Sequence, residues 1–253
     1  MIALLHGLGE HSGRYGPWAE RFVAEGHAVH TIDLRGHGRS DGARGDTRFA
    51  PAMADIDRLL AHCAERHPGT PLFLYAHSLG ALLALDYLIA RPAPPLVGAI
   101  VSAAGVHSAL REQRVKVAAA RVLGRLVPGL RLASGIDPDT ISRDPAVVAA
   151  YRADPLVHDR ASTGFGLDAL EAIDRILGTP PSSAVPMLVL HGSEDRIAYV
   201  SGARELAAAA PSVRDLRVYE GLAHEIHHEP EQAQVFADVR QWIDATLSSA
   251  PPT

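Results

Sequence analysis

Cysteine is nearly absent from this 253-residue chain, where Cys63 stands alone. A single thiol excludes any internal disulfide. Cys63 falls in a stretch from Pro51 to His67 in which Met53, Ile56, Leu59 and Leu60 recur at helical spacing, so it reads as a reduced core thiol and not as a nucleophile. Lysine is scarcer than arginine by far, since Lys116 is the one lysine among 24 basic residues. With abundant alanine, that bias points to a GC-rich coding genome and says nothing of function. A formal charge of -5 gives no general pull toward nucleic acid or an anionic membrane. There is no apolar run long enough to span a bilayer, no internal repeat and no apparent signal peptide, so a cytoplasmic protein is expected. The length suits one large α/β domain.

What is present is an alternation of strands and helices, broken once. Ile2–Leu5, Ala28–Ile32, Leu72–Ala76, Leu96–Ser102, Met187–His191 and Leu216–Tyr219 read as short, buried parallel strands. Tyr15–Glu25, Pro51–His67, Leu79–Arg91, Ser201–Ala210 and Pro230–Leu247 read as the helices between and after them, several bounded by glycine or proline. The alternation lapses between residues 106 and 183, which reads as a helical cap inserted over the strand ends. Residues 1–105 and 184–253 then form the two parts of the core, with a frayed tail from Ala250 to Thr253.

The run from Leu72 to Leu85 places one hydroxyl, Ser78, at a sharp turn between a strand and a helix. Small neighbours, Ala76 and Gly80, flank it, as a strained elbow requires. Serine needs an imidazole base and a carboxylate to orient that base. Asp195 follows the apolar run Met187–Leu190, and His224 follows Leu216–Tyr219. The order Ser, Asp, His is the one α/β-hydrolases use, and each residue follows a strand, where such sheets place their sites. Glu194 and Asp174 are the alternative acids. Each of the three also has a plain structural role open to it: Ser78 in turn packing, Asp195 as a helix cap, His224 in a solvated loop.

These residues, with the runs His6–Tyr15, Asp33–Ser40, Ile136–Pro138, Ser142–Asp144, Tyr151–Leu156 and His191–Asp195, resemble the monoacylglycerol lipase and lysophospholipase group of serine α/β-hydrolases. The resemblance covers nearly the whole chain. It implies a mostly parallel sheet flanked by helices with a helical cap, and an esterase needing no metal or organic cofactor. It puts the oxyanion donors at the backbone N–H groups of Leu8 and Leu79. It also implies contacts to a glycerol head group from Glu10, Arg14, Tyr151 and His227, although Glu10 and Arg14 could equally pair with each other to brace the loop. Another esterase, a thioesterase, a lysophospholipase, an acyltransferase or a non-catalytic ligand binder remains open. Members of the group carry two further strands before the position of Ile2. Either the start codon is placed late or the sheet is short, and a short sheet leaves Ala28–Ile32 as an edge strand.

One motif competes. His224-Glu225-Ile226-His227-His228 matches the zinc-binding pattern H-E-x-x-H, which needs a helix to align its two imidazoles. Pro230 fits the first turn of the following helix, so the motif falls in the loop before it, and no third ligand follows. The glycines near residues 7–9 and 36–38 do not complete a phosphate-binding pattern. Last, Arg111, Arg114, Lys116, Arg121, Arg125 and Arg131 interleave with Val115, Val117, Val122, Leu123, Leu126 and Val127. Such a segment is either a lipid-docking surface that admits one acyl chain or a cap helix with solvated cations.

Overall fold

Six strands form one parallel sheet: β1 (Ile2–Leu5), β2 (Val29–Ile32), β3 (Phe73–His77), β4 (Gly98–Ser102), β7 (Met187–Gly192) and β8 (Val213–Tyr219), in the order β2-β1-β3-β4-β7-β8. Two three-residue strands, β5 (Arg131–Ala133) and β6 (Arg160–Ser162), pair antiparallel apart from it. The computed structural model describes residues 1–91, 93–108 and 114–249, without the side chains of Arg114 and Lys116. Arg111 and the tail from Ala250 to Thr253 lie outside the described residues.

Strand side chains alternate between faces, and the chain supplies apolar residues for both. Ile2, Leu4, Phe73, Tyr75, Ile100, Leu188 and Leu190 point to one face, where α1 (Gly16–Ala24) and α8 (Gln232–Ser249) cover them with Trp18, Phe22, Val239 and Trp242. Ala3, Leu5, Leu74, Ala76, Val101 and Val189 point to the other, under α2 (Phe49–Arg66), α3 (Leu79–Ala90), α6 (Thr163–Gly178) and α7 (Val200–Ala209). Cys63 is buried and free in that second layer. β2 lies at an edge of the sheet, with its side chains only partly buried.

Between β4 and β7 the chain builds α4 (Arg114–Leu126), β5, α5 (Pro145–Ala153), β6 and α6. These parts attach differently. Ala172, Ile173 and Ile176 of α6 belong to the same apolar layer as the strands. The stretch from residue 134 to 162 is bonded to loops of the core. His158 N–H donates to Gly9 O (2.8 Å), Glu225 N–H to Ile141 O (2.7 Å) and Ser142 Oγ to His228 O (3.0 Å). Arg143 Nε meets the buried Glu229 at 2.8 Å, and His11 Nε2 lies 2.8 Å from Asp154 Oδ2. Helix α4 rests on α6, where Gly124 sits so close that a Cβ would lie 2.5 Å from Leu167 Cβ. Its Val115, Val122 and Leu126 face solvent. Among the described residues no helix is long and apolar enough to cross a membrane.

Candidate active site

The order of the sheet reverses at β1, whose neighbours β2 and β3 are reached by connections leaving in opposite directions. A crevice opens there at the strand ends. The loops after β1 and β3 form its walls. Ser78 follows β3 directly with φ 53° and ψ -112°, a strained conformation for a residue with a side chain. Two bonds hold it: Ser78 N–H donates to Ser102 O (2.9 Å), and Gly80 N–H to His6 O (3.1 Å). The need for a small residue at Gly80 comes from a neighbouring strand. A Cβ on Gly80 would lie 2.6 Å from Leu5 O and 2.7 Å from His6 O, so it is the end of β1 that demands glycine.

Asp195 and His224 lie in the loops after β7 and β8. His224 Nε2 is 2.9 Å from Ser78 Oγ, and His224 Nδ1 is 2.7 Å from Asp195 Oδ2. The other carboxylate oxygen accepts from Ile197 N–H (2.8 Å) and Ala198 N–H (2.9 Å), which fixes its plane. His191 adds a further contact, with Nε2 3.1 Å from Asp195 Oδ2. Burial pushes the Asp195 carboxyl up, but the imidazoles of His224 and His191 outweigh it and hold it well below the usual carboxylate range. Burial pulls His224 down, yet Asp195, with Glu225 and Glu10 behind it, raises it above an ordinary imidazole. Of the alternative acids, Glu194 is exposed, and Asp174 stands on α6, where Arg121 of α4 meets it at 2.5 Å.

Leu8, Ser78 and Leu79 together line a cavity of about 310 Å³. Among the described residues the N–H groups of Leu8 and Leu79 are not donors of turn and loop hydrogen bonds. The cavity wall is mostly apolar, with Leu82, Phe165, Leu170 and Ile173 along its length. A much smaller lobe, about 20 Å³, shares Leu8, Ser78, Ile136 and Ile197 with this cavity and is bordered also by Glu10, Tyr151, His77, His224, Glu225 and Ile141. A third depression, about 490 Å³, opens beside β2 between Arg35, Asp55 and His62, away from Ser78.

The four residues expected near a head group separate. Glu10 and Tyr151 border the lobe, whereas Arg14 and His227 do not. Arg14 is taken up by carboxylates: its Nη1 donates to Glu10 Oε2 (2.5 Å) and Glu225 Oε1 (2.7 Å), its Nη2 to Glu225 Oε2 (2.7 Å). Tyr151 stacks against the guanidinium, 4.7 Å from its ring centre. His227 is buried and stacks on Tyr15 with ring centres 4.7 Å apart. Glu225 takes a place on the wall that sequence reasoning did not assign.

The H-E-x-x-H run is a loop ending in a short 3-10 turn at Ile226–His228, so its imidazoles diverge. His224 turns to Ser78 and His228 to Glu225, at 2.7 Å. Among the described residues, one cluster of metal-binding types is tight enough for an ion: Glu225, His227 and His228, with ligand atoms within 4.8 Å of one another. Both oxygens of Glu225 are already on the Arg14 guanidinium, which would sit against any bound cation, so the set does not fit a metal.

Known proteins can now be set beside this geometry. The model of the serine aminopeptidase S33 hydrolase family matches residues 1–231. Monoacylglycerol lipase of Mycolicibacterium smegmatis is 38% identical over 98% of this chain and 89% of its own length. The crystal structure of Paleococcus ferrophilus monoacylglycerol lipase superposes with a TM-score of 0.87 at 34% identity, covering 97% of this chain and 94% of that one. The chain also matches an uncharacterised abhydrolase domain-containing protein of Dictyostelium discoideum at 33% identity, spanning 98% of itself but 27% of that protein. The sheet order and these likenesses make the fold that of the α/β-hydrolases, and the chain belongs to the S33 family of serine hydrolases.

Proposed function

We propose that the chain is a carboxylic ester hydrolase that cleaves monoacylglycerols to glycerol and fatty acid through an acyl-enzyme on Ser78. The observation that carries this reading is the contact series Ser78, His224, Asp195, set beside a mostly apolar cavity. The cavity suits the acyl chain. His224 takes the Ser78 proton as Oγ attacks the ester carbonyl, Asp195 steadies the imidazolium, and Leu8 and Leu79 N–H receive the developing oxyanion. The glycerol oxygen leaves with the proton from His224. Water, deprotonated by the same imidazole, then releases the fatty acid and restores Ser78. Purified protein should hydrolyse 1-monoacylglycerol, and long-chain p-nitrophenyl esters faster than acetate, in the presence of a chelator. No turnover of any of them would overturn the reading.

The 106–183 stretch serves in this reading as the cap, with α4 as its lipid-facing part in a cytoplasmic, peripherally bound enzyme. The support is the exposed row Val115, Val122, Leu126, Leu130 and Leu132. Its cations contribute less than their number suggests. Arg121 is paired with Asp174 at 2.5 Å, and Arg125 lies 4.0 Å from Glu171. Vesicle co-sedimentation should therefore show binding to neutral as well as anionic membranes, weakened several-fold by Val122→Ser with Leu126→Ser. Binding confined to anionic vesicles and abolished by salt would assign the docking to the arginines instead.

A further inference from the structure

His6 follows β1 directly and is wholly buried, with a partner on each ring nitrogen. Leu34 N–H, in the loop after β2, donates to His6 Nε2 (2.9 Å), and His6 Nδ1 lies 2.8 Å from Gly7 O. A backbone N–H can only donate and a carbonyl can only accept, so the two contacts fix the tautomer: Nε2 bears the lone pair and Nδ1 the hydrogen. Burial pushes the imidazole down more strongly than Glu10, the Gly7 carbonyl and Asp33 raise it, and His11 adds to the lowering. His37 packs on the ring with centres 5.3 Å apart and is itself pushed down to about 3, chiefly by burial. His6 is therefore a neutral imidazole with one direction in which to donate.

The oxygen it holds belongs to the same peptide unit as Leu8 N–H. That unit is planar and trans, so Gly7 O and Leu8 N–H point opposite ways, and fixing one aims the other. Among the described residues no other N–H meets Gly7 O. The preceding peptide has anchors of its own: Gly7 N–H donates to Glu10 Oε1 (2.6 Å), and Gly80 N–H to His6 O (3.1 Å). Because residue 7 is glycine, its own backbone does little to fix the unit that follows. Gly7 also lies against the nucleophile, where a Cβ would be 3.1 Å from Ser78 Cβ. We infer that His6 is a positioning residue: it holds the Gly7–Leu8 peptide so that Leu8 N–H faces the developing oxyanion, and it hangs that peptide on the loop after β2 through Leu34. The inference rests on the ester-hydrolase reading, with Leu8 as an oxyanion donor. Its effect falls on the transition state, because the carbonyl oxygen is an anion only there.

Two substitutions separate the nitrogens. His6→Gln keeps an acceptor in reach of Leu34 N–H but has no donor at the Nδ1 position, whereas His6→Asn places an amide N–H there. His6→Gln should lower kcat/KM for p-nitrophenyl laurate by about thirtyfold, somewhat less than outright loss of an oxyanion donor. His6→Asn should recover to within about fivefold of the wild type. A lauryl trifluoromethyl ketone gives the specific readout: Ser78 Oγ bonds to its carbonyl carbon, the Oγ proton passes to His224, and the carbonyl electron pair moves onto oxygen. It should bind His6→Gln more weakly by the same factor, while the matching secondary alcohol, which forms no oxyanion, binds wild type and variants alike. Equal losses for ketone and alcohol, equal losses in the two variants, or unchanged kcat/KM in His6→Gln would overturn the assignment. The unaltered protein supplies a check that depends on neither variant: nitrogen NMR of isotope-labelled imidazoles should find His6 as the neutral Nδ1–H tautomer from about pH 5 to 9. An Nε2–H tautomer, or protonation within that range, would overturn it as well. That tautomer in a wild type that turns over no ester would remove the hydrolase reading instead.

Discussion

Ser78→Ala should lose turnover of every ester by roughly four to six orders of magnitude and lose labelling by a fluorophosphonate probe altogether. The size of the effect follows from the chemistry: Oγ is the atom that forms the acyl bond, and no other hydroxyl is seen within reach of His224 Nε2 among the described residues. The fold should survive the change. Alanine removes one hydroxyl from a position whose backbone bonds, from Ser78 N–H to Ser102 O and from Gly80 N–H to His6 O, remain in place. Unchanged thermal unfolding with lost labelling is the expected pair of results. Labelling that persists in Ser78→Ala would place the nucleophile elsewhere.

Asp195→Asn should cost about four orders of magnitude in kcat while leaving probe binding measurable, because an amide no longer stabilises the imidazolium or selects its tautomer. The pH profile adds a signed expectation. His224 works as base only when neutral, and Asp195 raises its pKa above the ordinary value, so wild-type activity should rise with pH through a midpoint above about 6.5. Removing the Asp195 charge leaves burial, which lowers that pKa, and the midpoint should move to lower pH. A midpoint that stays put in Asp195→Asn would show that another acid, not Asp195, faces His224 in solution.

Much of this architecture could be read from residue order. The strand Ile2–Leu5 is found as expected, and the other sheet strands are shifted by at most three residues at an end. Buried parallel strands announce themselves because both faces need apolar side chains, so the run itself is the signal. Ser78 is legible because it directly follows such a run, and Asp195 and His224 because each stands in the loop that leaves a strand. The wall of the lobe was not. Arg14 and Glu225 meet across 211 positions of sequence, and no local spacing encodes that contact. Glu225 was further masked by the H-E-x-x-H pattern around it. His227 fails for a geometric reason: three residues after His224, in a short 3-10 turn, its ring points to Tyr15 and not to the lobe. The small sheet of β5 and β6 escapes detection because three residues are too few for any period to show.

The bonds from the 134–162 stretch have a mechanical corollary. They reach the loop after β1 through Gly9 and His11, and the loop after β8 through Glu225 and His228. One loop carries Leu8 and the other His224, so this stretch is a doorframe in which both halves of the catalytic geometry are hung. A frame that swung outward to admit substrate would pull the two loops out of register. Helix α4, in contrast, leans on α6 and carries no such bonds to either loop among the described residues. Displacing that helix would leave those bonds, and the catalytic contacts they hold, intact.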